Sequence, residues 1–160
     1  MSESFPTPFK TFTVEEANAS LPLVRVITSD IVHLSRDLIE RRHRLELLKR
    51  RGEGVSGDPY ADEIAHIREE FEKDTRRLEE FIGELFDLGV ELQSGPDGLV
   101  DFPSEMEGRL VYLCWKFNEP EVGYWHELDA GFAGRQLLAV GSVSGPGADG
   151  EEGLFPGGST

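Results

Sequence analysis

Cysteine is almost missing from this chain. Cys114 stands alone among 160 residues, which excludes an internal disulfide and a cysteine-rich zinc site. Long apolar runs are missing too: no window approaches the ~18 consecutive apolar residues that a membrane span requires. The opening MSESFPTPFKTF has no basic stretch leading into an apolar one, so no secretory signal is read. Basic charge is scarce, with 16 Lys+Arg against 31 Asp+Glu for a formal net charge of −15. That balance disfavours nucleic acid as a partner, because phosphate binding is driven by clustered cations. P-loop, GxGxxG, HExxH and GxSxG patterns are all absent. What is left is a reduced, cytoplasmic globular chain, 38% hydrophobic and 29% charged, of a length that suits one domain.

The charge is unevenly placed: residues 1–51 are net +2 and residues 52–160 net −17. The last 20 residues hold seven Gly, two Pro and three acids, too little apolar surface to offset ordering entropy, and read as a disordered tail over 141–160. The expected organisation is one α+β domain over residues 1–140, with a helical hairpin at about 13–88 and a β region at about 90–138.

Thr13-Val14-Glu15-Glu16 reads as a capping box, with Phe12 before it as a staple. Pro22 lacks an amide proton, so a short helix, a kink or restart, and a long helix to about Arg51 are expected. From Val24 the apolar positions Val24, Ile27, Ile31, Leu34, Leu38, Leu45 and Leu48 step by three and four, with a vacancy at Arg41. A second seam runs Ile64, Ile67, Phe71, Leu78, Phe81, Leu85 and Leu88, with a vacancy at Asp74 and Gly89 as the C-cap. Pro59 suits the first turn of that helix. Two such helices joined by a glycine-rich turn form an antiparallel, coiled-coil-like hairpin. Matching the seams in reverse pairs Leu48 with Ile64, Leu45 with Ile67, and Arg41 with Phe71. Arg41 is then expected to stack on Phe71 and reach Asp74, a pairing that fixes register more often than it does chemistry.

After Gly89 the period becomes two. Strands are expected at Val90–Gln93, at Leu99–Phe102 ending on Pro103, at Arg109–Lys116, and at Val122–Glu127, giving a small antiparallel sheet of three to four strands. Arg109–Lys116 is apolar on both faces and needs cover on both. The hairpin covers one face, and a second protomer is the simplest cover for the other. Tyr112, Trp115, Tyr124 and Trp125 are the interface candidates.

Candidate chemistry concentrates in this half. His126, Glu127, Asp129 and Cys114 are ligand types for a divalent metal, and a thiolate would suit zinc. Strand alternation splits His126 from Glu127 and Asp129, so neighbours such as Asp101, Glu107 or Glu119 must complete any shell. Cys114 has no local cation to activate it and reads as a small hydrophobe rather than a nucleophile. His33, His43 and His66 sit on solvated helix faces. Gly131-Phe132-Ala133-Gly134-Arg135 reads as a plain turn before it reads as an anion nest. The basic run Arg41, Arg42, Arg44, Lys49, Arg50 and Arg51 is expected to be neutralised by Asp58, Asp62, Glu63, Glu69 and Glu70.

At this point FTVEEANASLPLVR, ELFDLGVEL, GLVDFP and GRLVYLCWKFNEPEVGYWHELDAGFAGR resemble an uncharacterised prokaryotic family catalogued as domain of unknown function 2203, over nearly all of residues 11–138. The resemblance implies a stand-alone cytoplasmic protein of a bacterium or archaeon with no established activity. The family motif falls on Asp101, Glu107, Arg109, Cys114, Trp115, Glu119, Trp125, His126, Glu127 and Arg135. Leu137 stands where the family often has proline. No catalytic role carries over.

Two functional classes follow. The leading one is a non-enzymatic homodimeric interaction or scaffold protein with no assigned catalytic residue and no membrane contact. The other is a metal-dependent or small-ligand site built around His126 and Glu127, with Asp101, Glu107, Arg109, Glu119 and Arg135 contributing. They separate on one observation: whether those side chains meet.

Overall fold

A computed structural model describes residues 10–52 and 61–138. The expected tail over 141–160, together with Asp58 and Pro59, lies outside the described residues. The chain is α+β. Helix α1 (Val14–Gly52) and helix α2 (Ala61–Asp87) precede strands β1 (Glu91–Ser94), β2 (Leu99–Met106), β3 (Arg109–Lys116), β4 (Tyr124–His126) and β5 (Gln136–Leu137). The five strands form one antiparallel sheet in sequence order. Among the described residues no helix is long and apolar enough to cross a membrane.

The start of α1 is the reciprocal cap expected from its sequence. The Glu16 amide donates to Thr13 Oγ1 at 3.0 Å, and the Thr13 amide to Glu16 Oε1 at 2.9 Å. The restart at Pro22 does not occur: α1 runs unbroken from Val14 to Gly52. Pro22 is exposed, so its ring sits on the water side, while Ala17, Leu21 and Val24 are buried on either side of it. All seven apolar seam positions of α1 are buried. At the far end Leu45, Leu48 and Ile64 cluster with Ile67, in the register that reverse matching of the two seams predicts. The end of α2 is a Schellman cap, with the Val90 amide on the Leu85 carbonyl and the Gly89 amide on Phe86, and φ 91° at Gly89.

Arg41 reaches Asp74 at 2.5 Å and also takes Asp37, one turn away on its own helix. Among the described residues it makes no ring contact with Phe71, because the fork is spent on the two carboxylates. The basic run of α1 and the acids Asp62, Glu63, Glu69 and Glu70 form no ion pair with each other among the described residues. The hydrogen bond from Arg41 holds the Asp74 carboxyl below its usual range, against the opposing effect of burial. A depressed carboxylate stabilises the fold above its unfolded pKa and loses that contribution as pH falls through the lower, folded value. Acid unfolding of Asp74→Asn should therefore show a flatter limb below about pH 4, with about 0.5–1 kcal/mol lost near neutrality. Parallel pH titrations of stability for the two proteins would show it; identical acid limbs would remove the pair from the account.

β1 is shifted by one residue from the expected Val90–Gln93, β4 is shorter than the expected Val122–Glu127, and β2 differs most. β2 continues through Pro103 to Met106. The Pro103 carbonyl accepts the Phe12 amide at 2.7 Å on the edge away from β3. A residue's N–H and C=O point to the same side of a strand, so the missing proton of Pro103 costs the β2–β3 ladder nothing. The β2–β3 turn is Glu107-Gly108, with φ of 54° and 80°, the left-handed pair that a tight hairpin needs. β5 is the fifth strand.

The face of the sheet carrying Val100, Phe102, Leu113 and Trp115 packs on Val24, Ile27, Ile31 and Leu85 of the two helices. The opposite face carries Asp101, Tyr112, Cys114, Tyr124 and His126.

Candidate functional site

Register puts the site together. Asp101 on β2 lies directly across from Cys114 on β3, Cys114 across from Tyr124 on β4, and Tyr112 across from His126. Alternation places Asp101, Tyr112, Cys114, Tyr124 and His126 on the face turned away from the helices. β2 and β4 both flank β3, and the side chain between them at this level is the small thiol of Cys114. His126 can therefore reach over it: Nε2 lies 3.0 Å from Asp101 Oδ1. One ligand atom each from Asp101, Cys114 and His126 lies within 4.8 Å of the others. All three residues are buried, at 2%, 0% and 2% exposure.

The protons follow from the geometry. His126 Nδ1 is 2.7 Å from the Glu127 carbonyl oxygen, which can only accept, so Nδ1 carries a hydrogen. Nε2 and Asp101 then share one proton between them, and the pair is neutral as a unit whichever atom holds it. Burial pushes the Asp101 carboxyl up, and the facing imidazole opposes that rise. Burial likewise pushes the Cys114 thiol up to about 11, and a hydrogen bond with Arg135 opposes it. Arg135 Nη1 is 3.6 Å from the sulfur, so Cys114 does have a cation beside it, brought from 21 residues away. Burial still wins, and both ring nitrogens of His126 are engaged. His126 is therefore not placed as the free base of a Cys–His nucleophile, and the group hydrogen-bonded to the thiol is the Asp101 carboxyl.

Arg135 follows a short 3-10 turn, Phe132–Gly134. Its guanidinium lies over Tyr124 at 3.7 Å and Phe132 at 4.6 Å, and both ends of its fork meet the Glu119 carboxylate. Glu119 Oε1 also accepts the Lys116 amide at 2.9 Å, and the Glu119 carbonyl accepts Trp115 Nε1–H at 3.0 Å. On the other side, Tyr112 donates to Glu91 Oε1 at 2.9 Å, and its ring lies 5.5 Å from that of His126. Burial and the Glu91 carboxylate raise the Tyr112 hydroxyl.

Of the residues expected to form a site, Asp101, Glu119, His126 and Arg135 come together. Glu127, Glu107 and Arg109 do not. They form a separate exposed cluster at the hairpin tip, with Arg109 on Glu127 at 2.6 Å and on Glu107 at 3.4 Å. The hydrogen bond from Arg109 holds the Glu127 carboxyl below its usual range. The site is thus centred on His126 with Asp101, not on His126 with Glu127, because neighbouring residues of one strand face opposite ways. Cys114, which its local sequence marks as a small hydrophobe, stands in the middle. Its signal was its parity with Tyr112 on β3, which becomes informative only with the register of β2 and β4. Trp115, expected at an interface, is fully buried in the chain's own core; Tyr112, Tyr124 and Trp125 are half-buried.

A family model described as "Uncharacterized conserved protein (DUF2203)" matches residues 10–138. No curated protein and no solved structure matches the chain.

Proposed function

The chain belongs to the DUF2203 family, and for this member we propose that the far face of the sheet binds one divalent metal ion, zinc before others, through Asp101, Cys114 and His126. The observation that carries this reading is the convergence of thiol, imidazole and carboxylate, on three different strands, to within 4.8 Å. A zinc tetrahedron has ligand–ligand edges of about 3.3–3.6 Å, so side-chain adjustment suffices. The hydrogen bond from Nδ1 to a backbone carbonyl leaves Nε2 for the metal and fixes the ring, the usual arrangement of a ligating histidine. Thiolate with imidazole favours zinc over magnesium or calcium.

Charge balance supports the same reading. Metal entry releases two protons, one from the thiol and one shared by His126 and Asp101. A dication with one thiolate and one carboxylate is then neutral in a buried place, where net charge is heavily penalised.

The test is metal analysis of tag-free purified protein. About one zinc per chain should survive dialysis, and Cys114→Ser should weaken zinc binding by more than about 100-fold in a competition titration. Protein that carries no stoichiometric metal and binds neither zinc nor cobalt at micromolar levels would end the proposal.

A homodimeric interaction protein remains the second reading. It is supported by the outward apolar side chains Leu23, Val26 and Ile39 of α1, each more than half exposed. These lie on the helical layer, so the two readings do not compete for the same residues.

A further inference from the structure

Three protein ligands leave a tetrahedral metal one position short, and the chemistry beside that position is cationic. Arg135 Nη1 lies 3.6 Å from Cys114 Sγ. Its guanidinium is fixed by the rings of Tyr124 and Phe132 and already presents its fork to a carboxylate, that of Glu119. A guanidinium held flat, with its fork aimed, is the arrangement that receives a carboxylate or a planar oxyanion.

We propose that the metal-loaded site takes a small monoanion as its fourth ligand, a carboxylate or oxyanion of the size of formate, acetate or bicarbonate, which Arg135 receives in exchange for Glu119. This rests on the metal reading above and adds the ligand class.

Burial distinguishes the group that stays from the group that leaves. The side chains of Asp101 and His126 are each 3% exposed and that of Arg135 is 12%, whereas Glu119 reaches 21%. Glu119 is the most exposed member of the cluster and the metal ligands are nearly enclosed. Charge gives the same answer. Before exchange the dication is balanced by Asp101 and Cys114, and Arg135 by Glu119. After exchange the incoming anion balances Arg135 while Glu119 turns out to solvent, so the buried cluster stays neutral. A cationic ligand meets Arg135 and is repelled, and a neutral one gives Arg135 no reason to release Glu119. The burial of all three ligands favours an anion of few heavy atoms.

Cobalt(II) titrated into the metal-free full chain without oxygen provides the readout. The sulfur-to-cobalt charge-transfer band reports loading, and the visible d–d bands report the fourth ligand. With ionic strength held by perchlorate, acetate, formate and bicarbonate should each shift the d–d bands saturably. Glu119→Gln keeps an oxygen for the Lys116 amide but weakens the hold on Arg135, and should tighten acetate by about tenfold; Arg135→Ala should weaken it by about tenfold. Arg135→Lys, which keeps the charge without the fork, should fall between them. A charge-transfer band with d–d bands that ignore all three anions up to about 100 mM, in both wild type and Glu119→Gln, overturns the anion proposal and leaves the metal site standing. Equal acetate affinity in wild type and Arg135→Ala overturns it as well. Absence of the charge-transfer band overturns the metal reading and the anion proposal with it.

Discussion

Replacing His126 with Phe should lower the unfolding free energy of metal-free protein by about 3–5 kcal/mol, while the double replacement Asp101→Leu/His126→Phe should recover most of that loss. The single change leaves Asp101, with its side chain 3% exposed, facing a hydrocarbon ring where it had a hydrogen-bonded imidazole. The Cys114 thiol also hydrogen-bonds Asp101 but is neutral and a weak donor, and the carboxylate of Glu91 nearby raises the Asp101 carboxyl further. The double change removes donor and acceptor together, and a pair of apolar groups in their place is close to neutral. Denaturant unfolding of the three proteins in the presence of chelator measures the coupling directly. Equal losses in the single and double variants would show that Asp101 and His126 are not a coupled unit. The same series bears on function. A ligand that binds only the folded state raises stability in proportion to the logarithm of its concentration over Kd. Zinc should thus raise the unfolding midpoint of the wild type and leave the double variant where it was.

That pair was only half visible in the sequence, and the reason is physical. Helical contacts repeat every three or four residues, so Val24, Ile27, Ile31 and the rest of the seam declare themselves locally, as do the Thr13–Glu16 cap and the reversal at Gly89. The Arg41–Asp74 bridge was legible because an antiparallel hairpin has one natural register once both seams are known. A sheet offers no such shortcut. Asp101, Cys114 and His126 stand on three strands, and each strand shows only its own two faces. Reading β4 alone separates His126 from Glu127 correctly, but does not say which residues of β2 and β3 share the face of His126. The ladder supplies that: Asp101 opposite Cys114, and Tyr112 opposite His126. Asp101 itself carries one local signal. Asp101 interrupts an apolar strand between Val100 and Phe102, and a lone acid in a strand with one face in the core marks the other face as polar and organised. Pro103 misled for a related reason. Whether proline ends a strand depends on which edge its nitrogen faces, and the free edge of β2 was unknowable before Phe12 was placed beside it.

Trp115→Ala should be as damaging as the loss of His126, and for a different reason. Trp115 is fully buried, its ring meets Phe117 edge-on at 6.2 Å with the Arg25 guanidinium 5.7 Å from its centre, and it stands in the cluster that joins both helices to the sheet. Truncating a tryptophan in such a place removes its transfer energy and leaves a cavity, together about 3–5 kcal/mol. Trp115→Phe keeps most of the apolar contact and should cost about 1–2 kcal/mol, largely the hydrogen bond from Nε1 to the Glu119 carbonyl. The milder variant is the more informative one. Glu119 is tied by its carbonyl to Trp115, through Oε1 to the Lys116 amide, and by its carboxylate to Arg135. Cutting the first tie loosens the turn that presents Glu119 without touching any group on the polar face. If Glu119 is the internal occupant of the Arg135 fork, Trp115→Phe should tighten acetate in the cobalt protein in the same direction as Glu119→Gln, by a smaller factor. If Arg135 and Glu119 only brace the fold, Trp115→Phe should lower the unfolding midpoint and leave the d–d bands and their acetate dependence where they were. Stability and spectrum, read on one conservative variant, thus separate the part of Trp115 that belongs to the core from the part that reaches the site.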